Sequence, residues 1–171
     1  MDDATYQLHQ TPNDCARDLI ATITFEDGDR VLEPFRGEGS FYNNFPTNVI
    51  KEWAEIREGR DYRDLAILSG NYDWVITNPP FRLEQEGGKR VNSFWFLLDF
   101  YSIRINKGIA FLANDACFGT ITPRRMAILN ARGWFIHHIT VCSVKKWRGR
   151  YFFIEFRKSP NPFMNYLQPN Y

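Results

Sequence analysis

The sequence predicts an α/β domain with a central, mostly parallel, twisted sheet, helices on both faces and an antiparallel hairpin at its C-terminal end. Three observations predict it. Short β-branched and aromatic runs at 31–32, 72–77 and 109–113 alternate with helical patterns, the rhythm of strands joined by helical crossovers. Two of these runs end in residues that leave a sheet. Glu33 is followed by Pro34, Phe35 and a Gly37-x-Gly39 turn, and Asn78 is followed by Pro79 and Pro80, which have no N–H to extend a ladder. Finally, strand patterns at 134–144 and 151–156 flank a short turn containing Gly149, a hairpin signal.

Taken in order, residues 6–25 read as an opening turn and an amphipathic helix. Thr11 is its expected cap, Pro12 its first helical residue, and Ala16, Leu19, Ile20 and Ile23 its apolar stripe. Val31 and Leu32 form a buried strand ended by Glu33, and a short helix stops at Pro46. A second strand is expected over 49–56, then a crossover too short for a full helix. The third strand, 72–77, is rich in the β-branched and aromatic residues that suit a packed pleat. The polar, glycine-containing segment 82–92 reads as a mobile loop. An apolar helix is expected over 91–105, with Phe94, Trp95, Phe96 and Leu98 in the core. Gly108 precedes a strand at 109–113. Thr122-Pro123 starts a helix with Met126, Ile128 and Leu129 on its inner face. His137 and His138 are adjacent within a strand, face opposite ways and read as structural.

A chain of 171 residues is long enough for one real core, expected over 1–158, with 159–171 an extended or loosely ordered tail. Its 21 basic and 20 acidic side chains nearly balance, which argues against unaided grip on duplex nucleic acid and leaves that work to a local patch or a partner. Cys15, Cys117 and Cys142 have no paired spacing, so neither a disulfide framework nor a zinc site is expected, and no other metal constellation appears. The N-terminus lacks a signal-peptide pattern and no apolar run approaches ~20 residues. The expected compartment is therefore reducing and cytoplasmic, with no membrane partner.

The chemistry gathers at the carboxyl ends of the strands, where open α/β sheets bind ligands. At 78–81 a side-chain amide, two prolines and a phenylalanine form a small polar pocket with a stacking wall, suited to a planar base with an exocyclic amine. At 37–39 the glycines let the backbone take positive φ and approach a ligand closely. This is not a dinucleotide G-x-G-x-x-G, because Tyr42 holds the third place. Glu55 lies about the ~20 residues past the glycine turn at which an acidic side chain accepts from ribose hydroxyls, and Glu52, on the opposite strand face, competes with it. Lys145, Lys146, Trp147, Arg148 and Arg150 combine cations with an indole, a mixture suited to phosphate contact and base stacking, or else to a solvated hairpin tip.

Asn78-Pro79-Pro80-Phe81 resembles the catalytic motif of class I S-adenosylmethionine-dependent methyltransferases acting on exocyclic amines, above all N6 of adenine. Glu33-Pro34-Phe35-x-Gly37-x-Gly39 resembles the family's D/E-P-F-x-G-x-G cofactor loop. Arg36 fills a place that is often small there. The likeness runs from Thr11-Pro12 through the terminal hairpin, in the same linear order, and implies a Rossmann-like class I methyltransferase fold with S-adenosylmethionine as cofactor. It implies that Thr11, Pro12, Glu33, Pro34, Phe35, Gly37, Gly39, Glu55, Asp61, Tyr62 and Asn78 hold that cofactor. Glu33 would accept from its amino group, Asp61 from its adenine amine, and Tyr62 would lie against the ring, although a solvated surface carboxylate is an equal reading of Asp61. Asn78, Pro79, Pro80 and Phe81 would carry catalysis, and Trp147 would stack the extruded base opposite Phe81. Lys89, Arg90 and the basic hairpin turn would meet nucleic acid, DNA before RNA. Adenine or guanine amines in RNA, a protein glutamine amide, and a non-catalytic cofactor-binding subunit are the alternatives. The pattern lacks a target-recognition segment, as in phage- and virus-encoded enzymes of this type, so specificity is expected to be slight or to come from loops or from a specificity or partner subunit.

Overall fold

A computed structural model of the chain describes residues 10–84, 88–145, 147 and 149–161. The lysine and arginine at 146 and 148 and the end of the tail therefore lie outside the described residues.

Helix α1 (Asn13–Ile20) buries Ala16, Leu19 and Ile20. The chain then enters β1 (Arg30–Glu33) and β2 (Ile50–Trp53), passes a 3-10 turn at Ile56–Glu58 and the one-turn helix α2 (Leu65–Leu68), and forms β3 (Tyr72–Thr77). A small hairpin of β4 (Arg82–Glu84) and β5 (Arg90–Asn92) follows, then α3 (Ser93–Tyr101), β6 (Ile105–Asn114), α4 (Asp115–Phe118) and α5 (Pro123–Ala131). The antiparallel pair β7 (Phe135–Cys142) and β8 (Tyr151–Arg157) closes the fold.

The six-stranded sheet runs β2-β1-β3-β6-β8-β7, with β1, β2, β3 and β6 parallel. Strand β1 sends the chain outward to β2, and the next crossover returns it to β3 on the opposite side of β1. The winding reverses between β1 and β3, so their carboxyl ends open the crevice in which such sheets bind ligands. Alternation sorts the strand side chains to two cores. Val75, Ile109 and Phe111 pack with α3 on one face, while Trp74, Ile76 and Ala110 pack with α1 on the other.

Several sequence expectations are corrected. Thr11 is not the cap of α1: Pro12, at φ −58° and ψ 141°, takes that position, and its carbonyl accepts the first helical bond from Ala16 at 3.0 Å. Strand β2 ends at Trp53, because the backbone beyond it turns to bond across the β1 exit. Ala54 N–H donates to Glu33 O at 2.9 Å, and Arg36 N–H to Ala54 O at 3.0 Å. The expected loop over 82–92 is largely β-hairpin, with Leu83 opposite Val91, so the helix expected from 91 begins only at Ser93 and stops at Tyr101. Within α3, Phe94 and Leu98 are fully buried but Trp95 and Phe96 are only half-buried. Ile128 faces outward at 39% exposure, unlike Met126 and Leu129. Gly108 lies inside β6 opposite Trp74, where a Cβ would come 2.0 Å from the indole; only glycine lets the ring lie across the strand. Strand β7 carries a bulge between Ile136 and His138, so the two histidines do not simply alternate.

Candidate active site

The crevice holds a cavity of about 410 Å³, within the range of small-molecule sites. One wall comes from the exit of β1. Glu33 is 2% exposed and accepts from the Tyr42 backbone N–H, while its Oε2 has no partner. Burial pushes its carboxyl well above the usual range; the Tyr42 bond and the Arg36 charge oppose this, and Glu55 adds to it. A buried acceptor in that condition suits a cationic or N–H donor from a ligand. Phe35 and Gly37 line the same wall, whereas Pro34 and Gly39 are buried and do not line it. Gly37 has φ +55°, and a Cβ there would meet the Gln10 side chain at 2.6 Å.

The second wall follows β2. Glu55 lines the cavity at 8% exposure. Its Oε2 accepts from Gly37 N–H at 2.8 Å, and its Oε1 from Arg57 N–H at 3.1 Å. Glu52 instead pairs with Arg60 at 3.4 Å and does not line the cavity, so of the two carboxylates only Glu55 faces it. Asp61 and Tyr62 also stay outside. Arg63 binds the Asp61 carboxylate at 2.6 Å and holds its carboxyl below the usual range, and Tyr62 is buried behind Phe35 with ring centres 5.0 Å apart. Ile56 and Arg57 line the cavity on this side.

The third wall is the exit of β3. Asn78, Pro79, Pro80 and Phe81 all line the cavity, and Asn78 Nδ2 donates to Thr11 Oγ1 at 3.2 Å. Ser93, the first residue of α3, fixes the proline turn from behind: its hydroxyl donates to Pro80 O and its N–H to Phe81 O at 3.3 Å. Thr11 lines the cavity and is tied to the glycine turn, because Ser40 Oγ donates to its carbonyl at 2.6 Å. Pro12 faces a separate groove beside Cys15 and Cys142.

Trp147 lines the cavity on the side of the β7–β8 turn. It is only 9% exposed and packs on Tyr151 with ring centres 4.5 Å apart. Of the cations expected around it, the described ones, Lys145 and Arg150, do not line the cavity. Lys145 is exposed on the neighbouring groove, and Arg150 lies 3.9 Å from Asp115. Lys89 is exposed and Arg90 pairs loosely with Glu84 at 4.0 Å. Lys146 and Arg148 lie outside the described residues. Sequence reasoning missed Gln10, Arg36, Ser40, Phe41, Ile56, Arg57 and Tyr151 as lining residues, and Ser93 as a support. Only Ser93 left a signal, a hydroxyl residue at the head of an apolar helical run.

No curated protein matches the chain by sequence. Among solved structures, a modification subunit of a putative type I restriction enzyme from Vibrio vulnificus YJ016 superimposes with TM-score 0.61 at 15% identity, covering 88% of this chain and 45% of that one. A putative class I S-adenosylmethionine-dependent methyltransferase from Listeria monocytogenes has TM-score 0.60 at 13% identity, covering 95% and 64%. The Mtq2–Trm112 complex of E. cuniculi, responsible for methylation of the eRF1 translation termination factor, contributes a chain with TM-score 0.55 at 17% identity, covering 93% and 97%. These likenesses establish the class I methyltransferase fold. The sequence model of the Eco57I restriction-modification methylase family matches residues 9–147, most of the chain, and the protein belongs to that family.

Proposed function

We propose that the protein transfers a methyl group from S-adenosylmethionine to the exocyclic N6 amine of adenine in nucleic acid, with DNA as its main substrate. One observation carries the reading: the Asn78–Phe81 turn and the Glu33, Gly37 and Glu55 walls face a single cavity. A cofactor and a base amine can therefore meet there. Family membership supports a nucleic-acid substrate.

The residues fit the cofactor. The unpartnered Glu33 Oε2 suits its amino group, Glu55 its ribose hydroxyls, and the Gly37 backbone its close approach. When bound, the cofactor supplies an electrophilic sulfonium methyl. The chain's own residues do the rest. An adenine amine is a poor nucleophile because its lone pair is delocalised into the ring. Asn78 Oδ1 and the Pro79 carbonyl each accept one of its N–H bonds, steering the nitrogen toward sp³ geometry, while Phe81 holds the ring by stacking. The remaining contribution is alignment of the in-line transfer and exclusion of water. In a duplex the base must first be flipped out, at a cost of a few kcal/mol. Trp147, which lines the same cavity, would offer a second stacking face opposite Phe81. Lys145 and Arg150, beside the β7–β8 turn, would provide phosphate contact, and a partner subunit would add the grip on duplex that a near-neutral chain lacks.

Methylation of a protein glutamine amide is the second reading; the Mtq2–Trm112 complex, which has a chain of the same fold, methylates a protein. The deciding experiment incubates the protein with labelled S-adenosylmethionine and single-stranded DNA, duplex DNA, RNA and protein, followed by mass analysis of nucleosides and peptides. N6-methyladenine in DNA is expected; methyl found only on peptide overturns the nucleobase reading.

A further inference from the structure

The segment that carries Glu55 is weakly supported by the sheet. Strand β2 is the sheet's edge, has four residues, and leads only into a three-residue 3-10 turn and the one-turn helix α2. Its outer side has no neighbouring strand among the described residues. A carboxylate that must meet a ribose at hydrogen-bond distance needs a rigid carrier.

Arg36 supplies a second support from the β1 side. Its backbone closes the glycine turn, with Gly39 N–H donating to its carbonyl at 2.9 Å. Its side chain leaves the turn and crosses the end of β2. There the guanidinium carbon lies 3.9 Å from the Trp53 ring centre and Nη2 pairs with Glu58 Oε1 in the 3-10 turn. Arg60 lies 4.1 Å from the same ring and pairs with Glu52, so Trp53 is gripped by two cations. Beside this, Gly37 N–H donates to Glu55. Two bridges, Gly37 to Glu55 and Arg36 to Glu58, thus join the glycine turn to residues 54–58.

We propose that Arg36 is a positioning residue: it clasps the glycine turn onto the segment after β2 and so sets the distance between Gly37 and Glu55 across the ribose half of the cavity. This rests on the reading that the cavity takes S-adenosylmethionine. Arg36 also lines the cavity, but its guanidinium is engaged by Trp53 and Glu58, and it is through them that it would act.

The test is calorimetric titration of the full chain with S-adenosylhomocysteine and with 5′-methylthioadenosine, which keeps the adenosine and thioether but has no carboxylate. Arg36→Ala is expected to weaken both about tenfold, the scale of one shielded ion pair and one cation–π contact. KM for the methyl donor should rise in parallel while kcat changes less than about twofold. Arg36→Lys keeps the charge but not the plane, and should recover only part of the loss. Unchanged affinity for both ligands overturns the proposal, and so does a loss confined to S-adenosylhomocysteine, which would mean direct contact with the carboxylate. Should Arg36→Ala not fold, Glu58→Gln carries the test, with about threefold weaker binding of both ligands expected and unchanged binding overturning it. Failure of the unmodified protein to bind either ligand would instead refute the cofactor reading itself.

Discussion

The amide of Asn78 donates to the hydroxyl of Thr11 at 3.2 Å, joining residues 67 apart in sequence. The bond orients the side chain at the head of the proline turn: with Nδ2 committed to Thr11, Oδ1 is the acceptor it presents. Replacing Thr11 by Val removes that acceptor and the orientation it imposes on the amide, at about 1 kcal/mol. Turnover should fall about tenfold or more while cofactor affinity changes little, and Thr11→Ser should restore it. Steady-state methyl transfer alongside cofactor titration checks this.

Asn78→Ala removes the acceptor itself. Turnover should drop by about 100-fold or more, the scale of a lost transition-state hydrogen-bond partner, with cofactor binding retained. A scaffolding subunit would show no change in the activity of its complex, so the same variant separates the two roles.

Trp147 has two tasks, lining the cavity and packing on Tyr151 at 9% exposure. Trp147→Ala should therefore weaken nucleic-acid use and also cost about 3 kcal/mol of stability. Trp147→Phe keeps most of the packing and a stacking face. Thermal melts and substrate KM, measured on both variants, should show alanine failing in both and phenylalanine mainly retaining both.

Glu33 makes the protein's stability depend on pH. Burial raises its folded pKa above the unfolded value, so the native state binds more protons between the two values. Its contribution is fully present below the unfolded pKa and declines as pH rises through the folded one. Glu33→Gln should remove this decline, making the variant relatively more stable toward neutral and alkaline pH, with loss of cofactor affinity. Asp29 and Asp61, whose carboxyls are lowered, contribute in the opposite sense at acid pH, so the comparison is the difference between the two proteins' denaturation midpoints. A difference that does not vary with pH would contradict the assignment.

Gly108→Ala tests the fold, not the site. The added methyl would enter the Trp74 ring, whose Nε1 is already fixed on Asp29 at 2.9 Å. A loss of about 2–3 kcal/mol is expected from overpacking, read as a lower denaturation midpoint.

Much of the fold was legible because the signals are local. Val31–Leu32 and the 72–77 run read as strands from residue type alone, and the prolines after Asn78 end β3 wherever it packs. Boundaries were less legible. The 82–92 segment hides a hairpin because its pairing of Leu83 with Val91 spans residues that look only polar, and Ile128 fits a helical stripe whose inner face depends on where α5 docks. In the site, Gly37, Asn78 and Phe81 were found by motif. Gln10, Arg57 and Tyr151 were not, since nothing near them in sequence marks a cavity.

The sequence alone determined which residues leave the sheet at β1 and β3, because proline has no N–H to pair and glycine can take positive φ without a Cβ clash. Tertiary structure alone decided which carboxylates face the cavity. Glu55 does because it meets the Gly37 amide, while Arg60 draws Glu52 away and Arg63 holds Asp61 outside. A carboxylate's role follows from the donors that reach it, and apart from Arg63 beside Asp61 those donors come from turns and strand ends brought together only by folding.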